Sequence, residues 1–402
     1  MGTKVWGMVL AIIMGLGSVN MVRAADWSFI PTITQRSEFN SNLYYAPSNP
    51  ISDYILSLKP EADFNYTTEI TQLQGRLGLL GMHYITHDNL DHIDQNYEIN
   101  GRYQATPKIG LSLNSSYIND TTLIQELLTS GLVIGRTQRQ SFYVGPGVTY
   151  NLTERLSATG SYSFNRVLYQ APQYTNYTDH QAGLKFAYLL KNEKTTLISN
   201  NIVRETLYGG GNNYKSIGIY VGLLHKFSER FDVNVLSGAN INFYSFNTQV
   251  LDFSQFPYFV RIKTQRLNSN GVTPYVGASA SYRWTNLSLT GGASIDQTPS
   301  AYGAIYQVSR VFATLNYDFT ERLSGFVSGS FSLSNQSSQI LASEYNYYNV
   351  SPGLTYQITE KFSTSAGYNY GTSSSLTDTG GSAHNHVAYI QFSYKYPIHY
   401  QK

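Results

Sequence analysis

Apolar and polar side chains alternate with a period of two along most of this 402-residue chain. In one run Leu323, Val327 and Phe331 share a face while serines fill the other, where Phe326 is the exception. Successive side chains of a β-strand point to opposite faces, so this period predicts strands with one apolar and one polar face.

A short polar turn recurs between the alternating runs. The sequence Thr-Glu-Arg-Leu-Ser occupies residues 153–157 and 320–324, and near copies stand at residues 228–232 (SERFD) and 359–363 (TEKFS). Short turns that join runs of about ten residues indicate a meander of β-hairpins.

The first 24 residues have the pattern of a secretion signal. Lys4 supplies a positive start, residues 5–19 form an apolar run, and Val22-Arg23-Ala24 fits cleavage after Ala24. A retained membrane anchor is the alternative, but the run is shorter than the roughly 20 residues that a spanning helix needs. We therefore predict a signal peptide at residues 1–24 and a single mature domain at residues 25–402.

The composition is typical of a membrane barrel. Charged residues make up 13% of the chain, whereas soluble domains have about 25%. Tyrosine is abundant, with 35 residues, and there is no cysteine. Barrel strands need an apolar outer face, aromatic ends and a polar lumen. With the secretion signal, this predicts an all-β, antiparallel up-and-down barrel in a bacterial outer membrane. Removal of Lys4 and Arg23 balances basic and acidic residues, so nothing suggests binding to nucleic acid.

The alternation predicts about eighteen strands. Connections after even-numbered strands have two to four residues, and those after odd-numbered strands are longer, the longest being residues 246–271. Outer-membrane barrels have the same asymmetry, with short turns in the periplasm and long loops outside the cell. The comparison predicts that both termini of this chain lie in the periplasm. Sixteen or twenty strands remain open, because residues 195–207 alternate poorly.

Four prolines lie inside predicted even-numbered strands, at Pro60, Pro146, Pro274 and Pro352. Proline cannot donate a hydrogen bond to the sheet, so it is expected at an irregularity. We interpret these prolines as β-bulges that bend the wall near mid-height.

Two long segments repeat one another, GPGVTYNLTERLSATGSY at residues 145–162 and SPGLTYQITEKFSTSAGY at residues 351–368. With RSEFNSNLY at residues 36–44 and SDYI at residues 52–55, they resemble outer-membrane β-barrel porin families encoded with exopolysaccharide and PEP-CTERM systems. The resemblance covers most of the mature chain and implies a pore with exopolysaccharide or another sugar-containing polymer as cargo.

The resemblance also implies partners. They are outer-membrane lipid and lipopolysaccharide, periplasmic polysaccharide-export components and the barrel-assembly machinery. The alternating aromatic end of the chain, from Ile390 to Tyr396, resembles the signal that this machinery reads.

The sequence shows no arrangement typical of an enzyme or of a cofactor site, and we predict neither. One loop is a weak candidate for a divalent-cation site, because carboxylate and imidazole ligands cluster there. Its residues are His87, Asp88, Asp91, His92 and Asp94. The alternative is a solvated outer loop.

The inward register of the strands is the predicted functional surface. Its charged members are Lys59, Glu61, Asp63, Arg76, Glu98, Arg102, Lys185, Lys226, Asp232, Arg283, Asp318 and Lys395. Either they pair across the wall and keep the lumen hydrated, or they form a weakly selective path. Inward Tyr143, Tyr220 and Tyr275 are candidates for stacking on sugar rings, or else belong to the aromatic girdle.

Two loops are candidates for a constriction. Residues 123–135 are unusually apolar for an exposed loop, and residues 253–267 combine aromatic and basic side chains that would favour anions. The second set comprises Phe256, Tyr258, Phe259, Arg261, Lys263 and Arg266. Contact with another subunit or a partner is the alternative for both loops.

The leading functional hypothesis is therefore a passive conduit for exopolysaccharide. A general diffusion porin for small solutes is one alternative. A structural barrel around a separate multihaem cytochrome is another, since this chain has no haem-attachment motif of its own.

Overall fold

A computed structural model describes residues 25–121, 126–127, 135–255, 259–336, 344–375 and 381–401. The chain forms one closed antiparallel barrel in which each strand pairs with the next and the first pairs with the eighteenth. The strands are β1 (Asp26–Asn40), β2 (Asp53–Thr67), β3 (Thr71–Tyr84), β4 (His92–Thr106), β5 (Ile109–Thr121), β6 (Gln138–Asn151), β7 (Leu156–Tyr169), β8 (Tyr177–Leu189), β9 (Thr195–Tyr208), β10 (Asn213–Lys226), β11 (Phe231–Gln255), β12 (Phe259–Arg283), β13 (Leu287–Pro299), β14 (Ile305–Asp318), β15 (Leu323–Gln336), β16 (Glu344–Gln357), β17 (Phe362–Ser375), β18 (Ser382–Lys395) and β19 (Ile398–Gln401). The predicted fold class is confirmed.

The last strand is bent at Pro397. Beyond it β19 continues β18 along β1, where Phe29 pairs with Ile398, so the two segments act as one strand of an eighteen-stranded wall. The stretch that alternates poorly in the sequence is the regular strand β9, paired on both sides with β8 and β10.

The outer wall is apolar and exposed. Leu77, Val221 and Val272 are 57%, 62% and 70% exposed, and they alternate with polar residues that face the lumen. A wall of this kind is stable only in lipid, because water would face a continuous apolar surface. Within the described part of the chain, no helix combines the length and apolar character needed to cross a bilayer as a helix.

The recurring turn is held by one hydrogen-bond pattern. The Thr153 hydroxyl accepts bonds from the backbone N–H groups of Arg155 and Leu156 at 3.2 and 3.0 Å. Thr320, Thr359 and Ser228 hold their turns in the same way. A hydroxyl that occupies backbone donors fixes a short turn, which explains why this sequence recurs.

The predicted asymmetry of the connections is present at most strands. Even-numbered strands are followed by two to five residues and odd-numbered strands by three to sixteen, the short ones being those after β9, β11 and β13. We call the two ends of the barrel the turn side and the loop side.

The prediction of a long loop at residues 246–271 is wrong. Most of it belongs to β11 and β12, which pair from Phe231 opposite Tyr282 to Asp252 opposite Arg261. The neighbouring strands pair with this hairpin only as far as Ser245 on β11 and Val276 on β12, so a two-stranded ribbon continues past them. Strands beyond the membrane need no lipid-facing side, and the alternation that marks a strand in the sequence is therefore lost there.

The interpretation of the prolines as bulges is also wrong. The β2–β3 pairing skips Lys59 and Pro60 and then resumes in the same register, and gaps of the same kind lie at Pro146 and Pro352. Pro60 still aligns with Ile33 on its other side. Proline lacks the N–H that one neighbour would receive, so a ladder bond is lost without insertion of a residue.

Candidate functional site: the barrel lumen

The charged residues predicted to face inward alternate along their strands with the lipid-facing side chains. Several of them form ion pairs within the wall. Lys59 Nζ lies 2.5 Å from Glu61 Oε2, and Arg76 Nε lies 2.7 Å from Asp63 Oδ1 and 3.8 Å from Glu61 Oε1. Lys59 thus pairs along its own strand and Arg76 pairs across to the neighbouring strand, which favours the interpretation that the opposite charges of the lumen neutralise one another.

Three other predicted lumen residues have partners as well. Arg283 Nη1 is 3.6 Å from Asp232 Oδ1 near the turn side, and Glu98, directly opposite Arg76, accepts a bond from the Asn96 amide at 3.2 Å. Five more lie on the inward register without joining these pairs: Arg102, Lys185, Lys226, Asp318 and Lys395.

The loop-side half of the lumen holds buried ion pairs that the sequence did not reveal. Arg139 binds Asp120 through two nitrogens at 3.0 Å, and Arg204 Nε donates to Asp179 Oδ1 at 2.8 Å. The sequence predicts a long loop over residues 119–138, which contains Asp120 and ends just before Arg139, and Arg204 lies in the stretch that alternates poorly. Their carboxylate–guanidinium pairing across adjacent strands was the only available signal.

The end of the β13–β14 hairpin, residues 297–304, parts from β12 and enters the lumen, while its first three residues stay paired with β14 as far as Pro299 opposite Ile305. The β12–β13 pairing ends at Val276 opposite Ile295, and beyond it the Gln297 carbonyl accepts a bond from Arg204 Nη1 at 2.8 Å. The Ala301 carbonyl accepts from the Thr175 N–H at 2.7 Å, and the Ala304 carbonyl from the Tyr208 hydroxyl at 2.9 Å.

This inner segment is packed as well as hydrogen-bonded. Ser300 and Ala301 are fully buried, and Ala301 lies in an apolar cluster with residues of β7 to β11 and β14. The segment therefore covers part of the lumen near the loop side.

A second segment enters from the β5–β6 connection, where residues 126 and 127 are described. Glu126 accepts a bond from the Tyr169 hydroxyl at 2.7 Å, and Leu127 lies in a buried cluster with Tyr45, Tyr347 and Ala383. Tyr169 and Tyr347 belong to β7 and β16, nine strands apart in a wall of eighteen. Consecutive residues thus contact opposite sides of the barrel, as expected for a constriction.

The predicted constriction at residues 253–267 is placed differently. Phe259, Arg261 and Lys263 lie on β12, in the ribbon beyond the neighbouring strands, and exposed Arg266 donates from Nε to the Ser245 hydroxyl. Phe256 and Tyr258 fall outside the described residues.

The candidate cation ligands have separate partners. His87 Nδ1 is 2.8 Å from Asp53 Oδ2, and His92 Nδ1 is 2.7 Å from the Leu90 carbonyl. Asp91 accepts from His83 at 2.7 Å, and this bond lowers the pKa of the Asp91 carboxyl. Asp88 opens a 3₁₀ turn, and Asp94 faces His92 at 3.5 Å. Among described residues, no three His, Asp or Glu side chains converge on a metal-sized space.

Aromatic residues also face the lumen. The rings of Tyr220 and Tyr275 stand 4.1 Å apart between centroids, and the Tyr220 hydroxyl donates to Asn240. Tyr143 curls over Gly145 on its own strand. Tyr220 and Tyr275 therefore pack on one another.

A neutral sector occupies β15 to β17. Its inward residues include the cross-strand neighbours Ser330 and Asn349, and Thr355 and Ser365, whose hydroxyls are 3.1 Å apart. Hydroxyl and amide groups thus line one side of the lumen, and paired charges line the side formed by β1 to β4.

A closed wall, an apolar exterior and a polar lumen define the chain as a transmembrane β-barrel, the fold that outer-membrane porins have. It is similar to Pseudomonas aeruginosa OccK2 (OpdF), solved in complex with glucuronate, at 10% identity over 93% of this chain and 98% of that one, with a TM-score of 0.45. It is similar to Acinetobacter baumannii OccAB3 at 12% identity over 92% and 99%, with a TM-score of 0.43. No protein family model matches the sequence, and no curated protein matches it.

Proposed function

We propose that this chain forms a pore for small polar solutes in a bacterial outer membrane. The observation that carries the proposal is the pair of segments inside the lumen, residues 297–304 and the Glu126–Leu127 turn, both packed against the wall. A hydrated polymer needs a wide, unobstructed path. Packed segments near the loop side favour the small-solute alternative over an exopolysaccharide conduit, and over a sheath around a cytochrome.

The chemistry of the wall supports polar cargo. The β1–β4 side carries charges that are largely neutralised in pairs, such as Arg76 with Asp63. The β15–β17 side offers uncharged hydroxyls and amides. Such a lumen hydrates small solutes and discriminates weakly by net charge.

The outer wall supports membrane insertion with the turns in the periplasm. Exposed aromatic residues stand within three residues of the turn-side strand ends, as a girdle at one membrane interface should. They are Tyr103, Tyr150, Tyr188, Phe227, Trp284, Phe319, Tyr356 and Tyr394. In this orientation both termini are periplasmic, lipopolysaccharide surrounds the loop side, and barrel-assembly machinery inserts the chain.

Liposome swelling tests the proposal. Purified protein in liposomes should admit a monosaccharide quickly, and the rate should fall steeply through a disaccharide to a tetrasaccharide. Equal rates along the series would indicate a wide conduit, and swelling no faster than that of empty liposomes would refute the proposal of a pore.

A further inference from the structure

One row of lumenal residues on the turn side combines a cation with unusually small neighbours. Gln72 on β3 aligns with Arg102 on β4, Arg102 with Ser112 on β5, and Ser112 with Gly147 on β6. A Cβ at Gly147 would lie 2.6 Å from the Ser112 hydroxyl oxygen. The Ser112 side chain therefore fills the position over Gly147, and the row carries only small side chains on the β5–β6 side of Arg102.

Arg102 differs from the other basic residues on the β1–β4 wall. Arg36 is paired with Glu38, Lys59 with Glu61, and Arg76 with Asp63. Within the described parts of the chain, the Arg102 side chain makes no hydrogen bond or ion pair. An exposed guanidinium keeps all of its donors available to a ligand.

The space beside Arg102 is a cleft of about 600 Å³. Neutral polar side chains line it, among them Gln72, Asn114 and Thr149, while Glu69 borders it from the β2–β3 turn. The amides and hydroxyls are donors and acceptors suited to the hydroxyl groups of a solute. Arg102 is the one basic residue among those that line the cleft, so the cleft attracts a single negative charge at the end away from Glu69.

We propose that this cleft binds small hydroxylated carboxylates as they pass the turn-side mouth of the pore. The planar guanidinium of Arg102 pairs with the carboxylate through two parallel hydrogen bonds, and the neutral row binds the hydroxyl groups. The inference deepens the proposed function, because it names a class of solute for the same lumen.

Saturation-transfer NMR on the folded, full-length protein tests the cleft without requiring conduction. Gluconate is the probe, and sorbitol is its neutral counterpart. At about 0.1 M salt, where charges further apart than about 10 Å are screened, gluconate should bind more tightly than sorbitol. Arg102→Gln should weaken the binding of gluconate about tenfold and leave the binding of sorbitol unchanged. Arg230→Gln is the matched control, since it removes the same charge from an exposed turn at the same end of the barrel.

Two outcomes would overturn the proposal that this cleft binds hydroxylated carboxylates. One is equal affinity for gluconate in the wild type and in Arg102→Gln, and the other is equal loss in Arg230→Gln. Current through planar bilayers separates this inference from the proposed function. Gluconate binding that depends on Arg102 in a protein that carries no current would leave the cleft standing and the pore refuted.

Discussion

The ring of Phe326 on β15 lies over Gly353, the residue directly opposite it on β16. A Cβ built on Gly353 would come within 2.5 Å of the Phe326 Cε1 atom. Tyr389 covers Gly367 and Phe312 covers Gly292 in the same cross-strand way. An aromatic ring packed over a strand glycine replaces the missing side chain and fixes the register. This relationship explains why Phe326 interrupts the run of inward serines.

Gly353→Ala should therefore destabilise the barrel. The added methyl group displaces the Phe326 ring, and overpacking of this kind costs about 1–3 kcal/mol. This loss of stability is measured as a change in the free energy of unfolding, which urea titration in lipid vesicles gives when tryptophan fluorescence is followed. Gly160→Ala is the matched control, because nothing lies within 4 Å of a Cβ at that position. Equal effects at the two positions would show that the Phe326 contact is unimportant.

Two ion pairs formed by neighbouring residues of β9 should differ in how much they stabilise the barrel. Arg204 and Asp179 pair in the lumen with side chains 16% and 10% exposed, whereas Glu205 and Lys215 pair on the outer face at 38% and 59%. Asp179→Ala leaves a buried guanidinium unpaired and should cost about 3 kcal/mol. Glu205→Gln should cost less than about 1 kcal/mol. The same urea titration compares them, and a larger loss for Glu205→Gln would contradict the assignment of inner and outer faces.

The repeated turns should depend on their hydroxyl groups. Thr320→Ala removes the acceptor of two backbone N–H groups, at Arg322 and Leu323, and should cost about 1 kcal/mol. Thr320→Ser keeps the oxygen and should cost much less. Folding yield into vesicles, read from heat-modifiable gel migration, gives a second measure. If alanine and serine behave alike, the hydroxyl does not fix the turn.

The membrane-spanning wall was predictable from the sequence, because lipid on one side and water on the other impose the period of two. The repeated Thr-Glu-Arg-Leu-Ser turn was predictable for a similar reason, since a local hydroxyl bond stabilises it. The ribbon of β11 and β12 was not, because strands in water on both faces lose the alternation. Pro60 and Pro352 were located correctly and misinterpreted, since a missing donor and an inserted residue look alike in a sequence.

The contents of the lumen were less predictable than its wall. Residues 297–304 form a short uncharged segment, and nothing in their local pattern indicates that they reach Thr175 and Tyr208 across the barrel. The apolar character of residues 123–135 left an inward loop and a partner contact open; residues 126, 127 and 135 of this stretch are described, and Leu127 is buried. Pairs such as Arg204 with Asp179 depend on the alignment of neighbouring strands, which a sequence determines only when both strands are recognised.

Single-channel conductance in planar bilayers tests the central claim most directly, that inner segments restrict an open barrel. The wild type is compared with a variant in which two glycines replace residues 300–304, after heat-modifiable migration has shown that both are folded. The restricted pore predicts a small wild-type conductance that rises severalfold in the variant. A large wild-type conductance that the replacement leaves unchanged would contradict the account.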